Sequence, residues 1–381
     1  MKIKALNVYP IKALRPVPLE SATLTPQGIL HDRTYMLFKV NPDSSLRKMQ
    51  LSTFPQCALF SQEIVSSASS SSPSTSESPG DTIRVRYNPP DPLPPADRHP
   101  LQGTILSVPL VPDTDALEPV SVDLHGSPAE ALRMGDPYDA FFSACFGFPA
   151  ILVHIGSGRR RVLGTLAPGS SSAASSPPKQ QNHQTRSLLS FVASYFPSFS
   201  SLGFQQAQVG DGPAWLTFTD CAPYLVTSVS SLSHPSLEAF KDGSLVMPKF
   251  RPNIVVEDPE EAPFAEDFWA ELALPASGSG PSGARLLLTA NCGRCSSLNV
   301  DYDRGRPAAG PEGKLLNALM RDRRVDPGHK YAPVFGRYAF LAVDAAGDDP
   351  LASAIRVRVG DDVVVVRRNP ERTVFDWGLS Y

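Results

Sequence analysis

Short apolar runs, repeatedly interrupted by proline and glycine, are the feature that most limits what this chain can fold into. The 381 residues include 39 prolines and 26 glycines. Proline ends helices and is excluded from central strands, because its nitrogen carries no hydrogen to donate. Hydrophobic residues make up 41% of the sequence, which is enough for a core. The sequence therefore predicts a mainly β fold with short helices, of the α+β class.

Most of the apolar runs alternate with polar residues, as strands with one buried face do. The predicted strands are 3–11, 21–24, 34–40, 82–87, 105–111, 118–124 and 150–155 in the first half, and 250–256, 269–274, 285–290, 338–343 and 363–367 in the second. The glycine-rich residues 278–283 are predicted to form the tip of a hairpin.

Three segments have helical spacing instead. In the first, over residues 135–146, the apolar residues at intervals of three and four are Tyr138, Phe141, Phe142 and Cys145. Asp136-Pro137 is a typical helix start, and Gly147 is a typical helix end. Two further short helices are predicted at 233–240 and 313–323.

Composition divides the chain into two parts, in agreement with a length suited to two domains of about 150 residues each. Residues 66–80 and 167–184 are rich in serine and too polar to pack into a core. The predicted units are a first domain over 1–165, a linker over 166–187, a second domain over 188–367 and a tail over 368–381. The tail carries Val374, Phe375 and Trp377, which could dock on the body of the protein or on a partner.

Charge and cysteine content argue against several classes of function. A net charge of −3 gives no general attraction for nucleic acid or an anionic membrane. No apolar run approaches the roughly 18 residues of a membrane helix, and residues 1–10 lack the pattern of a signal peptide. Five cysteines, an odd number, fit a reducing compartment. The cytoplasm is the expected location, and mitochondrial import stays open.

Cys292 and Cys295 form a thiol pair that is a candidate for chemistry. As half of a zinc site, the pair lacks further ligands at matching spacing. As a thioredoxin-like redox pair it should open a helix, whereas its surroundings resemble strands. As the source of one thiolate it suits a soft metal, with Arg251 and Arg294 available to favour an anion. Packing of both thiols as small buried hydrophobes remains open beside these interpretations.

The basic residues are ambiguous on spacing alone. Arg33 and Arg251 lie at predicted strand ends, where guanidinium groups suit bidentate phosphate binding. Arginines in such places are more often surface residues or partners of a carboxylate, and Lys12 has the same ambiguity. The run Arg159-Arg160-Arg161 is expected to form a solvated face, as charge runs usually do.

Six blocks of sequence nevertheless occur together in a recognisable order. They are Val8-Tyr9-Pro10-Ile11-Lys12, His31-Asp32-Arg33, Thr219-Asp220-Cys221-Ala222-Pro223-Tyr224, Phe250-Arg251-Pro252-Asn253-Ile254-Val255, Gly293-Arg294-Cys295 and Pro333-Val334-Phe335-Gly336-Arg337-Tyr338. Together they resemble the MOSC-domain family, and within it the mitochondrial amidoxime reducing component group. The resemblance spans nearly the whole chain apart from the serine-rich segments and the residues after Arg368.

This resemblance implies an N-terminal MOSC β-barrel region packed with a MOSC β-barrel domain, and a molybdenum cofactor, Mo-molybdopterin. By motif position, Cys295 is the implied metal ligand and catalytic residue. The implied cofactor-binding residues are Lys12, Arg33, Thr219, Arg251, Asn253, Arg294 and Tyr338. The implied activity is reduction of the N–O bond of a small N-hydroxylated substrate, with electrons from a haem or flavin partner protein. A nominal association of the family with pyridoxal phosphate binding comes with the same resemblance.

Three residues depart from the family pattern. Ala13 stands where a serine commonly follows the lysine, and Cys221 and Ala222 stand where hydroxyl residues are common. Some cofactor contacts must then come from elsewhere. Two other functions stay open: a carrier of the molybdenum cofactor or sulfur-transfer module that uses a cysteine persulfide, and a barrel that binds neither metal nor pterin.

Overall fold

The computed structural model describes residues 1–66, 80–90, 98–170, 214–240, 243–274, 283–342 and 355–378. Within them the chain is mainly β with short helices, which confirms the predicted α+β class. Most of the serine-rich segments, most of the predicted linker and most of the predicted hairpin tip lie outside the described residues, so the domain boundaries stay predictions.

The strands are β1 (Lys2–Val8), β2 (Val17–Leu19), β3 (Ser21–Thr25), β4 (Gly28–Ile29), β5 (Tyr35–Val40), β6 (Leu46–Lys48), β7 (Phe60–Val65), β8 (Thr82–Tyr87), β9 (Ile105–Pro109), β10 (Glu118–Leu124), β11 (Ser127–Arg133), β12 (Ala150–His154), β13 (Arg160–Arg161), β14 (Trp215–Leu216), β15 (Tyr224–Ser228), β16 (Ile254–Glu257), β17 (Trp269–Ala273), β18 (Arg285–Gly293), β19 (Val300–Asp301), β20 (Arg306–Pro307), β21 (Val334–Ala342), β22 (Ile355–Arg358) and β23 (Val364–Arg368). The α-helices are α1 (Tyr138–Phe146), α2 (Gly243–Phe250) and α3 (Leu315–Met320). Short 3₁₀ helices span Pro55–Leu59, Pro100–Gly103, Val229–Ser233, Pro235–Phe240, Ala265–Phe268, Ser296–Asn299, Gly310–Lys314 and Pro327–His329. No helix among the described segments has the length and apolar character that crossing a membrane requires.

An eight-stranded sheet with the order β2-β1-β16-β15-β21-β18-β17-β23 unites the two ends of the chain. β1 pairs antiparallel with β16, so that Leu6 lies opposite Ile254. β15 and β16 are parallel, which requires a crossover between them. That crossover contains two 3₁₀ helices and α2. After the crossover, Arg251 lies between α2 and β16. Arg251 is part of the functional site described below.

The first half of the chain builds two further sheets, with orders β10-β11-β12-β5-β6 and β7-β8-β9. α1 packs against them over an aromatic core. In that core the Phe60 ring lies 5.1 Å from Tyr87, 5.5 Å from Phe142 and 4.8 Å from Phe146, between ring centroids. Contacts of this kind add about 0.5–1.5 kcal/mol each beyond the burial of apolar area. The N-terminal core is therefore distinct from the core beneath the eight-stranded sheet.

Several elements begin or end in the structure at the residues predicted from the sequence. β8 and β10 coincide with the predicted strands 82–87 and 118–124. α1 ends as predicted but begins at Tyr138, three residues after the predicted start, and the Asp136 Oδ1 accepts a hydrogen bond from the Ala140 N–H at 3.1 Å. Gly147 ends the helix with a left-handed φ of 75°, a conformation that glycine adopts without strain.

Other elements differ from the prediction. Residues 250–256 are not one strand, because α2 runs through Phe250 and β16 begins only at Ile254. Residues 233–240 form 3₁₀ turns rather than an α-helix, since Pro235 interrupts the segment. β11 has no counterpart among the predicted strands, although it pairs along its whole length with β10.

The tail after Arg368 packs on the body of the protein. Trp377 is 3% exposed, and its indole Nε1 donates to the His125 carbonyl oxygen at 2.7 Å. The Phe375 ring stacks on the His329 ring with centroids 3.9 Å apart. Of the three apolar tail residues, Val374 remains exposed. The two aromatic residues thus fasten the tail next to the region described below.

Candidate functional site

A single cleft is lined by all the residues that were predicted from the sequence to bind the metal or the cofactor. Its lining includes Lys12, Arg33, Thr219, Arg251, Asn253, Arg294, Cys295 and Tyr338. They belong to six separate segments of the chain. Strands β1, β16, β15, β21 and β18 are consecutive neighbours in the eight-stranded sheet, so the segments that they carry come together. Ala13 and Ala222, which depart from the family pattern, also line this cleft.

The two cysteines of the Cys292–Cys295 pair have different environments. Cys295 is exposed, begins the 3₁₀ helix Ser296–Asn299 and places its Sγ 3.2 Å from the Ser297 Oγ. Cys292 is 4% exposed within β18, and burial raises the pKa of its thiol. A thiolate is the form that binds a soft metal. Of the pair, Cys295 has the access that a metal ligand needs.

The turn that presents Cys295 is held by His329. The Gly293 N–H donates to His329 Nε2 at 3.1 Å, and a Cβ added at Gly293 would lie 2.5 Å from the ring. Burial lowers the pKa of His329, which favours the neutral ring that can accept this bond. Arg294 secures the other side, because its guanidinium donates to the carbonyl oxygens of Phe250 and Phe335 at 2.7–3.0 Å.

Two guanidinium groups lie over the ring of Tyr9. The Arg33 and Arg251 Cζ atoms are 4.3 and 4.4 Å from its centroid. Arg33 also pairs with the buried Asp32 carboxylate and donates to Asn253 Oδ1 at 3.2 Å. The Arg251 Nη1 donates to the Leu14 carbonyl oxygen at 2.8 Å. Its Nη2 is buried and has no hydrogen-bond partner within the described part of the chain.

Backbone strain is concentrated at the same place. Ala13, Arg33 and Arg251, all in the lining, have left-handed φ values of 72°, 51° and 57°. For residues with a Cβ this conformation costs on the order of 1–3 kcal/mol and persists only where the surroundings enforce it. Such strain is typical of sites whose geometry serves binding or catalysis.

Lys12 supplies a buried positive charge in the cleft wall. Its Nζ donates to Asp220 Oδ1 at 2.5 Å and to the Phe218 carbonyl oxygen at 2.8 Å. Asp220 Oδ1 also lies 3.2 Å from His125 Nε2. Burial lowers the pKa of Lys12 to about 8, although the attraction of Asp220 opposes this shift. The positive charge is therefore sensitive to pH just above neutrality.

Thr219 offers a second donor without a partner. Its Oγ1 is buried and makes no hydrogen bond to any described residue. Its backbone is fixed by Arg160, whose guanidinium donates to the carbonyl oxygens of Leu124, Ser127, Thr217 and Thr219 at 2.6–3.1 Å. Arg160 is fully buried, so the expectation of a solvated face over 159–161 is wrong for its central residue. Burial lowers the pKa of Arg160 to about 10.

Asn253 and Tyr338 make their hydrogen bonds within the wall of the cleft. The Asn253 Oδ1 accepts from the Leu225 N–H at 3.2 Å, and its Nδ2 donates to the Asn7 carbonyl oxygen at 3.3 Å. The Tyr338 hydroxyl is hydrogen-bonded to the Cys292 thiol, and burial raises the pKa of this phenol. Both side chains therefore hold neighbouring strands in position at the cleft.

Several lining or supporting residues were not predicted from the sequence. Tyr9 and Asp220 belong to the six sequence blocks given above. Their membership of these blocks marked them as candidates, but the sequence assigned neither residue a role. Gln50 and Lys249 line the cleft without any local pattern that marks them. His125 acts through Asp220 and is distant in sequence from every block.

The cleft does not assemble a metal site from protein ligands alone. Across the described ranges, no group of three or more His, Cys, Asp and Glu side chains comes together as a metal site would require. One exposed thiol beside several cationic groups is a different arrangement. It suits an anionic ligand that brings most of its own metal donors.

Comparison with known proteins gives two domain matches. The profile of the MOSC N-terminal beta barrel domain matches residues 1–149, and that of the MOSC domain matches residues 213–364. The chain is also 29% identical over 130 residues to molybdenum cofactor sulfurase of Emericella nidulans. That alignment covers 32% of this chain and 15% of the relative, so it concerns a small part of that protein.

Proposed function

The chain belongs to the MOSC-domain family, and on this premise we propose that it is a molybdenum-cofactor-dependent oxidoreductase. Its substrates would be small N-hydroxylated molecules whose N–O bond is reduced with electrons from a haem or flavin partner protein. The observation that carries the proposal is the cleft itself. It places the exposed Cys295 thiol beside two buried donors, Thr219 Oγ1 and Arg251 Nη2, that lack partners among the described residues.

The cleft residues fit such a cofactor. A buried polar group without a partner costs about 1–3 kcal/mol, and a phosphate or pterin oxygen would accept from both Thr219 and Arg251. Lys12 and Arg33 would add positive charge on the same side. Cys295 provides the soft thiolate that suits molybdenum.

When bound, the cofactor would supply two-electron chemistry at its metal. The residues of the chain would bind and orient it. Cys295 would hold the metal, and the 3₁₀ turn together with His329 and Arg294 would keep that thiol in place. The stacking of Arg33 and Arg251 on Tyr9 would keep both guanidinium groups directed at the anionic end.

Replacement of Cys295 by alanine tests the proposal. We expect Cys295→Ala to fold normally, because the thiol is exposed, and to lose both bound molybdenum and reduction of hydroxylamine by an artificial electron donor. Elemental analysis and a dye-linked assay measure the two quantities. Cys145→Ala, at a cysteine of α1 outside the cleft, is the control and should keep both. Full molybdenum content and turnover in Cys295→Ala would contradict the proposal.

A cofactor carrier or sulfur-transfer module is the second candidate, favoured by the similarity to molybdenum cofactor sulfurase. Cys221 and Cys292 pack in one cluster, and Cys292 also lines the cleft. Burial raises the pKa of both thiols, which makes them poor nucleophiles. Cys295 is then the thiol best placed to carry a persulfide. Cyanide-releasable sulfur on Cys295, in metal-loaded protein without reductase turnover, would favour this candidate.

A further inference from the structure

A second cavity, here called the side cavity, lies next to the cofactor cleft. It has a volume of about 630 Å³, within the range of about 300–1,000 Å³ that is usual for small-molecule sites. One wall is apolar and is formed by Phe240, Val246, Pro248 and Leu315. Another part of the wall comes from Arg15 and from the loop that carries Tyr302. Neither part belongs to the group of residues assigned above to the cofactor.

The side cavity and the cleft share one residue, Lys249. The side cavity and the cleft are also linked by the chain segment that follows Cys295. Cys295 and Ser297 line the cleft, and the 3₁₀ helix Ser296–Asn299 leads directly to Asp301 and Tyr302, which line the side cavity. A ligand held in the side cavity would therefore have one end directed to the cleft.

Lys249 is the basic residue at this junction. It is half-buried and makes no hydrogen bond or ion pair with another residue that the structure describes. Four acidic residues also line the side cavity, namely Glu238, Asp301, Asp303 and Glu312. Asp303 pairs with Arg15 at 3.1 Å, and Asp301 pairs with Arg304 at 3.1 Å. Among the residues that the structure describes, the side cavity thus combines an apolar wall, several carboxylates and the unpaired ammonium group of Lys249 where the cavity meets the cleft.

We propose that the side cavity binds the apolar body of the substrate and that Lys249 donates a hydrogen bond to its N–O oxygen. The ligand class is an aromatic or aliphatic molecule with an uncharged N-hydroxylated group at one end, such as an aromatic amidoxime. Burial of its body against Phe240, Val246 and Leu315 contributes about 25 cal/mol per Å² of apolar area. The inference rests on the proposed reductase function for the identity of the reacting group.

A cavity-filling variant tests the apolar wall. Ala239 is exposed and lines the side cavity, so Ala239→Trp inserts an indole without disturbing the core. We expect the Kd of benzamidoxime to rise about tenfold or more, as measured by calorimetry on the metal-loaded protein. The ratio of kcat/KM for benzamidoxime to that for hydroxylamine, which has no apolar body, should fall by a similar factor. Ala262→Trp, at an exposed alanine outside both cavities, is the matched control and should change neither.

Two variants test the polar anchor. Lys249→Met keeps the length of the side chain and removes the donor, so benzamidoxime should bind more weakly. Lys249→Arg restores a cationic donor and should recover most of the affinity. If Lys249 only supports the local packing, Lys249→Arg should bind benzamidoxime no more tightly than Lys249→Met does.

The outcomes separate this inference from the proposed function. Benzamidoxime binding that is unchanged in both Ala239→Trp and Lys249→Met overturns the assignment of the side cavity. Binding that depends on both residues, in a molybdenum-loaded protein that reduces no N–O substrate, supports the cavity as a ligand site and overturns the reductase function.

Discussion

At the scale of single residues, Lys12 makes the cleft dependent on pH. Burial lowers its pKa from 10.5 to about 8. Between these two values the unfolded chain binds the proton and the folded chain releases it, so the contribution of Lys12 to stability rises with pH across this window. The same deprotonation removes a positive charge from the cleft. Stability and anion binding should therefore respond to pH in opposite directions.

This opposition gives a prediction for cofactor-free protein. The Kd of sulfate, which stays fully ionised from about pH 6.5 to 9.5, should rise as pH increases past about 8, and calorimetry over this range measures it. Lys12→Arg, which keeps its charge over this range, should remove the inflection. Lys4→Met, at an exposed lysine away from the cleft, should leave it in place. An inflection that persists in Lys12→Arg would assign the effect to another group.

At the scale of elements, Arg160 sets the position of the segment that carries Thr219. The Arg160→Met variant would leave four backbone carbonyl oxygens without their donor. We expect a loss of about 3 kcal/mol or more in the free energy of unfolding, because buried unsatisfied acceptors cost about 1–3 kcal/mol each. Urea denaturation measures this quantity. Arg161→Met, at the exposed neighbour, should stay within about 0.5 kcal/mol of the unmodified protein.

The tail is a second element that supports the cleft. Trp377 packs in the same cluster as Cys221, Cys292 and Tyr338. Trp377→Ala should lower the free energy of unfolding by about 3–5 kcal/mol, the usual cost of truncating a buried tryptophan. Val374→Ala, at an exposed position of the same tail, is the control. Equal stability of the two variants would show that the docking of the tail contributes little.

At the scale of the whole molecule, the two halves of the chain share sheets. β1 and β2 complete the eight-stranded sheet, and β22 near the other end pairs with β3. Ile3, Leu6, Val8 and Leu24 are buried in the core that serves the second half. The matched domains 1–149 and 213–364 are therefore not independent in their packing.

A fragment of residues 214–381 should consequently fail to fold on its own. It lacks the partner strand of β16 and part of its core. We expect no cooperative urea transition and weak near-ultraviolet circular dichroism, with recovery when the polypeptide 1–170 is supplied. Native-like spectra of the fragment alone would contradict this interdependence.

The sequence by itself determined the mainly β class, the ends of β8 and β10, the C-terminal end of α1, and the residues that meet in the cleft. Strand alternation and helix caps are local properties, and they are readable without the fold. The six blocks named the cleft residues through family resemblance, not through spacing, and the roles of these residues stay predictions.

Only the tertiary structure decided which polar groups are satisfied and which are not. The pairing of Lys12 with Asp220, the burial of Arg160 and the different exposure of Cys292 and Cys295 all depend on distant segments. Within the described ranges, the donors on Arg251 and Thr219 and the charge of Lys249 beside the side cavity have no partner, and this is a consequence of the same packing. The physical reason is that burial and hydrogen-bond partnership are set by contacts between residues far apart in the chain, which local patterns do not encode.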